Sequence, residues 1–336
     1  MYISFYQSPL HDPFQNLAIE QCLLATLLDQ EVILYLWQNE RTVVIGRNQD
    51  ADIECRVAVL EEDGGHLARR PSGGGAVYHD LGNLCFTFLA KEGNYHLERH
   101  IAVIRAAVAF FGIEAQVSGR NDLLVNGLKF SGNAYYTNRY GKVHHGTLLV
   151  DTDVQAMTKY LSPSPEKLAI RGVQSVRSRV VNLKSLSENI TVSSLATAMY
   201  DAFTQVYGQG ALMREDPDSK MLALYTKQFS DRKWRFWDTF PTSLRFRHRF
   251  SFGEIDLRLQ VETGRIQAAR VGSDANDPEL AVVIEKLLYN RKPDKMSMIE
   301  AFSSLASDWP SEMKEICEVL ATEPVIFQED QTNEFL

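Results

Sequence analysis

Leu123-Leu124-Val125-Asn126-Gly127-Leu128-Lys129-Phe130 carries the clearest architectural signal in the chain. Two short apolar runs flank Asn-Gly, a pair that accepts positive φ at both central positions of a tight turn, so the stretch predicts an antiparallel hairpin. Working outward, residues 143–151 read as a further strand. Residues 32–37, 42–45, 66–70, 76–79 and 84–90 precede it as short β-branched or apolar runs bounded by turn residues. Helices are interspersed. Asp12-Pro13 supplies an N-cap and a first-turn proline for a helix over 14–28. Helical spacing also covers 52–62, 98–111, 154–161, 193–207 and 220–229. Hairpins mixed with separate helices predict an α+β fold with a mixed, largely antiparallel sheet and flanking helices, rather than a doubly wound parallel sheet.

The 336 residues suggest two domains at roughly 150 residues each. The expected division is a large domain over 1–243, a linker over 238–250 around Thr239-Phe240-Pro241-Thr242-Ser243, and a small α+β domain over 249–336. In the small domain, strands at 250–261 and 265–271 meet at Thr263-Gly264, and helices follow at 279–288 and 311–320. There is no internal repeat and no low-complexity tract.

Lys and Arg number 35 and Asp and Glu 43, for a net charge of −8. A protein that grips nucleic acid through its general field is basic, so that class is set aside. The charge is uneven. Residues 271–336 hold 14 acidic and 5 basic side chains, a net of −9, which leaves the rest of the chain at +1. Residues 227–249 alone hold seven basic and two acidic side chains, so local cations suit an anionic partner. The N-terminus lacks the basic and apolar regions of a secretory signal. The longest apolar stretch, 101–113, is interrupted by Arg105 and too short to cross a bilayer. Cys22, Cys55, Cys85 and Cys317 show neither metal-ligand nor disulfide spacing. The expectation is a cytoplasmic monomer with reduced thiols that binds neither membrane nor nucleic acid.

Three stretches carry chemistry. In Ala68-Arg69-Arg70-Pro71-Ser72-Gly73-Gly74-Gly75-Ala76-Val77-Tyr78-His79-Asp80, three glycines let a backbone press close to a ligand, and two arginines can neutralise an anion. A surface turn beside a solvated arginine pair would use the same letters. Strand follows the glycines, so neither the P-loop nor the dinucleotide fingerprint applies. In Asn121-Asp122 through Lys129-Phe130-Ser131-Gly132-Asn133-Ala134, the hairpin register pins Lys129. A lysine held on a strand delivers a point charge with little reorganisation, although most strand lysines are simply exposed. In His144-His145-Gly146-Thr147-Leu148-Leu149, neighbouring histidines point to opposite faces of a strand, so they do not chelate one metal together.

In these three blocks the sequence closely resembles the lipoate–protein ligase A family. Asn16-Leu17-Ala18 with Glu20, Leu36-Trp37 with Asn39, Val43-Val44-Ile45-Gly46-Arg47, and Val176-Arg177-Ser178-Arg179 with Asn182-Leu183 extend the similarity. The blocks are ordered as in the family over residues 1 to 245, and the remainder looks like its small C-terminal domain. The resemblance implies a biotin/lipoate ligase type of catalytic domain. It also implies a two-step reaction: lipoate and Mg-ATP give lipoyl-AMP and pyrophosphate, and the acyl group then passes to a lysine of an acceptor lipoyl domain.

By the same resemblance Lys129 is the catalytic residue, acting as an electrostatic anchor. Arg70, Ser72, Gly73, Gly74, Gly75, Ala76, Val77, Tyr78, Asn121, Asp122 and Ser131 join it in binding ATP and the adenylate. Trp37, Glu20, Val44, Arg70, His79, His145 and Gly146 join it in holding lipoate. Asp122 is left between two roles, orienting Lys129 or holding magnesium. The implied acceptors are oxoacid dehydrogenase E2 subunits and the glycine-cleavage H protein. A thioester-forming relative would need a cysteine inside the matching blocks, and none of the four lies there. Other readings are a transferase that takes ready-made lipoyl-AMP, a cysteine-independent octanoyl or lipoyl transferase, and a non-enzymatic lipoate or nucleotide sensor.

Overall fold

The Asn126-Gly127 turn is present, with φ of 52° and 78°, in a computed structural model that describes residues 1–119, 122–162, 180–208, 210–236, 240–322 and 328–329. Its strands are β1 (Tyr2–Gln7), β2 (Glu31–Trp37), β3 (Thr42–Ile45), β4 (His66–Arg69), β5 (Val77–His79), β6 (Asn83–Ala90), β7 (Gln116–Ser118), β8 (Asp122–Val125), β9 (Leu128–Asn138), β10 (Gly141–Leu149), β11 (Leu212–Met213), β12 (Leu244–Phe250), β13 (Gly253–Glu262), β14 (Arg265–Ser273) and β15 (Gln328–Glu329). The helices are α1 (Pro13–Ala25), α2 (Ala51–Glu54), α3 (Val57–Glu62), α4 (Leu97–Ala109), α5 (Val154–Tyr160), α6 (Val192–Tyr207), α7 (Ser219–Ser230), α8 (Arg232–Arg235), α9 (Pro278–Leu288), α10 (Lys295–Ser303) and α11 (Pro310–Thr322). The α+β expectation holds.

The chain divides into two compact units. Met1–Ile45, Ala51–Arg70 and Ala76–Arg235 form the first, and Gly46–Asp50, Pro71–Gly75 and the chain from Phe236 onward form the second.

In the first unit an eight-stranded sheet runs β11-β1-β2-β6-β10-β9-β8-β7, parallel at β11-β1-β2 and antiparallel elsewhere. A second sheet runs β4-β3-β5. Because side chains alternate along each strand, the large sheet has two apolar faces. One packs Leu34, Leu36, Phe86 and Phe88 against Val103 and Ile104 of α4 and Met199 and Phe203 of α6. The other packs Tyr35, Trp37, Cys85 and Tyr136 against Leu17, Leu23 and Leu24 of α1 and Phe229 of α7. Helix starts follow their caps. Asp12 accepts from Phe14 and Gln15 N–H with Pro13 in the first turn, and Thr191 and Ser194 form a reciprocal capping box.

Two expectations change. The helix expected over 52–62 is broken into α2 and α3, because Cys55 leaves the helix to bridge Leu161 and Arg56 N–H donates to the Tyr160 carbonyl. The linker expected over 238–250 is in its second part strand β12, paired residue for residue with β13. Alternate arginines on it are ion-paired: Arg245 with Asp256 (2.7 Å), Arg247 with Glu254 (2.8 Å) and Arg249 with Asp274 (2.8 Å). Three of the seven basic residues of 227–249 are thus neutralised within the second unit, and the other four, Lys227, Arg232, Lys233 and Arg235, belong to the first.

His100 and His144 lie fully buried behind the sheet, with the His100 ring stacked 4.4 Å from Phe88. Burial pushes His100 down to about 3 and His144 far below the ordinary histidine range, so both stay neutral in the folded protein. In the unfolded chain they take up protons near pH 6.5. The stability tied to these two groups is therefore complete above pH 6.5 and is lost as pH falls toward 3. At pH 5 the loss from His100 alone is about 2 kcal/mol, and His144 adds to it in the same direction. The urea midpoint should be lower at pH 5 than at pH 7, and His100→Phe should narrow the gap. A gap unchanged by that substitution would contradict the assignment.

Candidate active site

A carboxylate with no solvent exposure organises one face of the large sheet. Glu20 Oε2 accepts from Thr87 Oγ1 (2.9 Å) and from His145 Nδ1 (2.9 Å), and Oε1 accepts from the Tyr136 hydroxyl (3.3 Å). Thr87 in turn accepts from the Trp37 indole N–H at 3.1 Å, which fixes the plane of that ring. His79 stands edge-on to Trp37 with ring centroids 5.9 Å apart. Asn39 donates its amide N–H to His79 Nδ1 (3.2 Å), which places the imidazole proton on Nε2. Burial, together with the charges of Arg70 and His145, lowers His79 to about 3, so it is neutral.

Arg70 is buried beside this cluster. Its backbone N–H donates to Ile45 O and its guanidinium to Val44 O (3.1 Å). Burial brings it down to about 10, partly opposed by the Glu20 charge, so it remains a cation at neutral pH. Arg69 turns the other way, and its guanidinium donates to the carbonyls of Trp234 and Arg235.

Lys129 owes its direction to an irregularity in β9. Leu123 pairs with Ser131 and Leu124 with Lys129, so Phe130 is an extra residue without an opposite partner. Such a bulge re-aims the side chains beside it. Phe130 enters the core behind the sheet, while Lys129 comes to the face of Asp122 and Gly132. Its Nζ lies 2.7 Å from Asp122 Oδ1 and directly over Gly132, where a Cβ would stand only 2.9 Å from it. Both partners of this ion pair are more than a third exposed or close to it (35% and 39%), which leaves the amine accessible. His145, on β10, presents to the same face through its pairing with Ala134.

In the second unit the glycine run is held by the turn after β14. Gly74 N–H donates to Ala275 O (3.0 Å), and Arg47 N–H donates to Ser72 O (2.8 Å). Ser273 N–H donates to Asn48 O, Arg47 pairs with Glu279 (2.6 Å), and Arg258 pairs with Asp50 (2.6 Å). A Cβ on Gly73 would stand 2.3 Å from Ala275 O and 2.5 Å from Asn276 O. Gly74 has φ of 86°, a conformation that strongly favours glycine. Gly75 has open space around its missing Cβ. Close packing therefore accounts for Gly73, and backbone conformation for Gly74.

Comparison with known proteins fits this geometry. Residues 12–204 match the model of the lipoyl protein ligase A/B catalytic domain, and residues 239–320 match that of the bacterial lipoate protein ligase C-terminus. A lipoate-protein ligase A from Psychrobacter cryohalolentis is 37% identical over 95% of this chain and 97% of its own. The chain belongs to the lipoate–protein ligase A family. As a member it is an enzyme, a ligase that acts with lipoate on protein. A solved structure of the P. falciparum protein LipL1 in complex with lipoate is 29% identical and superimposes with a TM-score of 0.83 over 96% of this chain and 99% of that one. A bipartite lipoate protein ligase from Thermoplasma acidophilum, solved with its E2 lipoyl domain, shares the fold at 23% identity, with a TM-score of 0.60 over 70% of this chain and 95% of that one.

For this lipoate–protein ligase A family member, the structure sorts the expected site residues. Glu20, Trp37, Val44, Arg70, His79 and His145 come together, and Lys129 and Asp122 share the sheet face of His145. Ser131 does not, because it pairs opposite Leu123 on the buried side and is fully enclosed. Gly146 also faces away: a Cβ there would meet the Phe86 ring at 2.6 Å, so its glycine serves packing behind the sheet. The Tyr78 ring turns to Tyr160, 5.6 Å away, which leaves only backbone for a ligand. Ser72 and Gly73–Gly75 lie with the second unit, and Ala76 and Val77 with the first. Asn121 and residues 176–179 lie outside the described residues. Thr87 and Tyr136 were not expected, and Asn39 stood only among the residues of the resemblance, with no role. Thr87 did leave a trace, as the one hydroxyl in the apolar strand Leu84–Ala90.

The glycines predict unequal tolerance. Gly73→Ala puts a methyl into two carbonyl oxygens and should cost about 1–3 kcal/mol of stability, whereas Gly75→Ala should leave the thermal midpoint unchanged. Equal midpoints for the two variants would contradict the packing read here.

Proposed function

We propose that the chain carries out its family's ligation in two steps, by way of an acyl adenylate. A carboxylate oxygen of lipoate attacks the α-phosphorus of ATP and pyrophosphate departs. The ε-amine of an acceptor lysine then attacks the acyl carbon and AMP departs. The observation that supports this best is the pair Asp122–Lys129, aimed by the β9 bulge onto the sheet face that also carries the Glu20 cluster.

On this reading Trp37, Val44 and the neutral His79 line the slot for the apolar dithiolane tail. Glu20 fixes His145 and Tyr136 directly and Trp37 by way of Thr87. Arg70 and Lys129 meet the lipoate carboxylate and the α-phosphate, so negative charge that builds on oxygen during both steps finds cations already in place. Backbone N–H groups of Gly73, Gly75, Ala76 and Val77 and the Ser72 hydroxyl serve the phosphates, the Gly74 N–H being engaged by Ala275 O, and Asn121 and Ser131 serve the adenylate. Ser131 does so with its backbone, given where its side chain points.

Asp122, whose Oδ1 is held by Lys129, would offer its other carboxylate oxygen to the magnesium that comes with ATP, and the ion would supply positive charge to the phosphates. The acceptor is a lipoyl domain of an oxoacid dehydrogenase E2 subunit or the glycine-cleavage H protein. The enzyme acts as a cytoplasmic monomer. Among the described residues no helix is long and apolar enough to cross a membrane.

Incubation with lipoate, ATP, magnesium and an apo lipoyl domain should release pyrophosphate and add the lipoyl mass to the acceptor. Acceptor modification only when lipoyl-AMP is supplied would favour the transferase instead. Lys129→Ala should keep the fold and lower the rate of pyrophosphate release by about 100- to 1,000-fold. Unchanged release would remove Lys129 from the catalytic role.

A further inference from the structure

Behind the catalytic strand, three polar side chains form a chain inside an otherwise apolar core. His144 Nε2 lies 2.8 Å from Asn133 Oδ1, and His144 Nδ1 lies 3.4 Å from His100 Nδ1. The partners dictate the protons. An amide oxygen only accepts, so His144 carries its hydrogen on Nε2 and donates to Asn133. His144 Nδ1 is then an acceptor, and His100 donates to it from Nδ1. That leaves His100 Nε2 as a buried acceptor without a hydrogen-bond partner among the described residues. His144 is enclosed by Phe86 (5.3 Å), Phe88 (5.7 Å) and Tyr135 (4.7 Å) between ring centroids. Polar groups in such a place gain little stability over apolar ones of similar shape. Their presence calls for a role beyond filling space.

The far end of the chain supplies one. Asn133 follows Gly132, the residue over which the Lys129 amine lies. Gly132 is held from the front, where its N–H donates to Thr147 Oγ1 at 3.3 Å. Asn133 is held from the back by His144, and its amide nitrogen reaches toward Ser131 Oγ at 3.4 Å. Ser131, Gly132 and Asn133 are thus clamped from both faces immediately after the bulge at Phe130. Ala134, next in line, pairs with His145.

We propose that His144, backed by His100, is a positioning residue for the adenylation step: by holding Asn133 it fixes the Gly132 platform beneath Lys129 and so the place of the lysine amine. His144 touches neither substrate nor reacting atoms, since it lies on the opposite side of the sheet from Lys129. The assignment rests on the ligase reading above and on Lys129 as its catalytic residue.

The test compares His144→Leu and His144→Phe, which remove the donor to Asn133, with His144→Gln, whose side-chain amide can still donate. Steady-state pyrophosphate release with lipoate and Mg-ATP is measured for each, with a thermal midpoint. For the folded apolar variants, kcat should fall about 30- to 100-fold, the scale expected when a catalytic group is slightly misplaced. KM for lipoate should stay within about twofold, because the slot around Glu20 and Trp37 is untouched. His144→Gln should recover kcat to within about threefold of the wild type. An apolar variant with wild-type kcat would overturn the proposal. So would equal losses in the Gln and apolar variants, or loss of fold in both apolar ones, since each makes the imidazole a structural element only. The wild type run alongside separates the two levels: no pyrophosphate from it refutes the ligase reading, while normal wild-type turnover with undiminished variants refutes only the positioning role.

Discussion

Phe130 is one residue more than β8 can pair, and the site depends on how the sheet absorbs it. A regular hairpin after Asn126-Gly127 would alternate Lys129, Ser131 and Asn133 onto one face and Phe130 and Gly132 onto the other. The bulge breaks that alternation, so Lys129 shares a face with Gly132 and Asp122 while Phe130 sinks into the opposite core. A lysine amine therefore sits over a glycine, beside a carboxylate, on a strand paired with β8 along this stretch and with β10 from Asn133 onward. The geometry needs no mobile loop to hold it. It needs a residue with no side chain at 132, a carboxylate at 122, and a bulky apolar side chain at 130 to anchor the extra residue.

Glu20 is the second constraint. A carboxyl group with no solvent exposure is costly to bury unless its oxygens are satisfied by donors. Here a hydroxyl, an imidazole and a phenol supply the donors, and Arg70 supplies charge. The arrangement ties α1 to β6, β9 and β10 at one point. It also decides protonation nearby, because Arg70 remains charged and its field helps keep His79 neutral. The slot thus combines a fixed cation with a neutral imidazole and an indole of set orientation, which suits a ligand with one anionic end and an apolar body.

Much of this was legible in the sequence, for reasons that can be named. The cap at Asp12, the Asn-Gly turn and the β-branched runs are local signals, and the elements they mark appear within a few residues of their expected bounds. Motif blocks brought the right residue types to attention. Face was harder to read. The resemblance put Ser131 beside Lys129 at the ligand, and only the bulge, a property of pairing with a neighbouring strand, shows that its side chain points away. Strand β12 was hidden because its alternation is Phe against Arg rather than apolar against small polar. A basic run between helices resembles a linker until the acids that neutralise it, far along the chain, are placed opposite.

The glycine run shows how one composition can answer two demands. Three consecutive glycines suggested a backbone bared for an anion. In the structure, the first of them is small because Ala275 and Asn276 present carbonyl oxygens to it, and the second because its φ is positive. Only Gly75 has neither reason, since a methyl there would meet nothing and its backbone is ordinary. If packing were the whole explanation, the third glycine would be free to become any small residue. On the function proposed above, Gly75 is the one of the three at which a ligand's close approach would account for the glycine, and it adjoins Ala76 and Val77 in the chain.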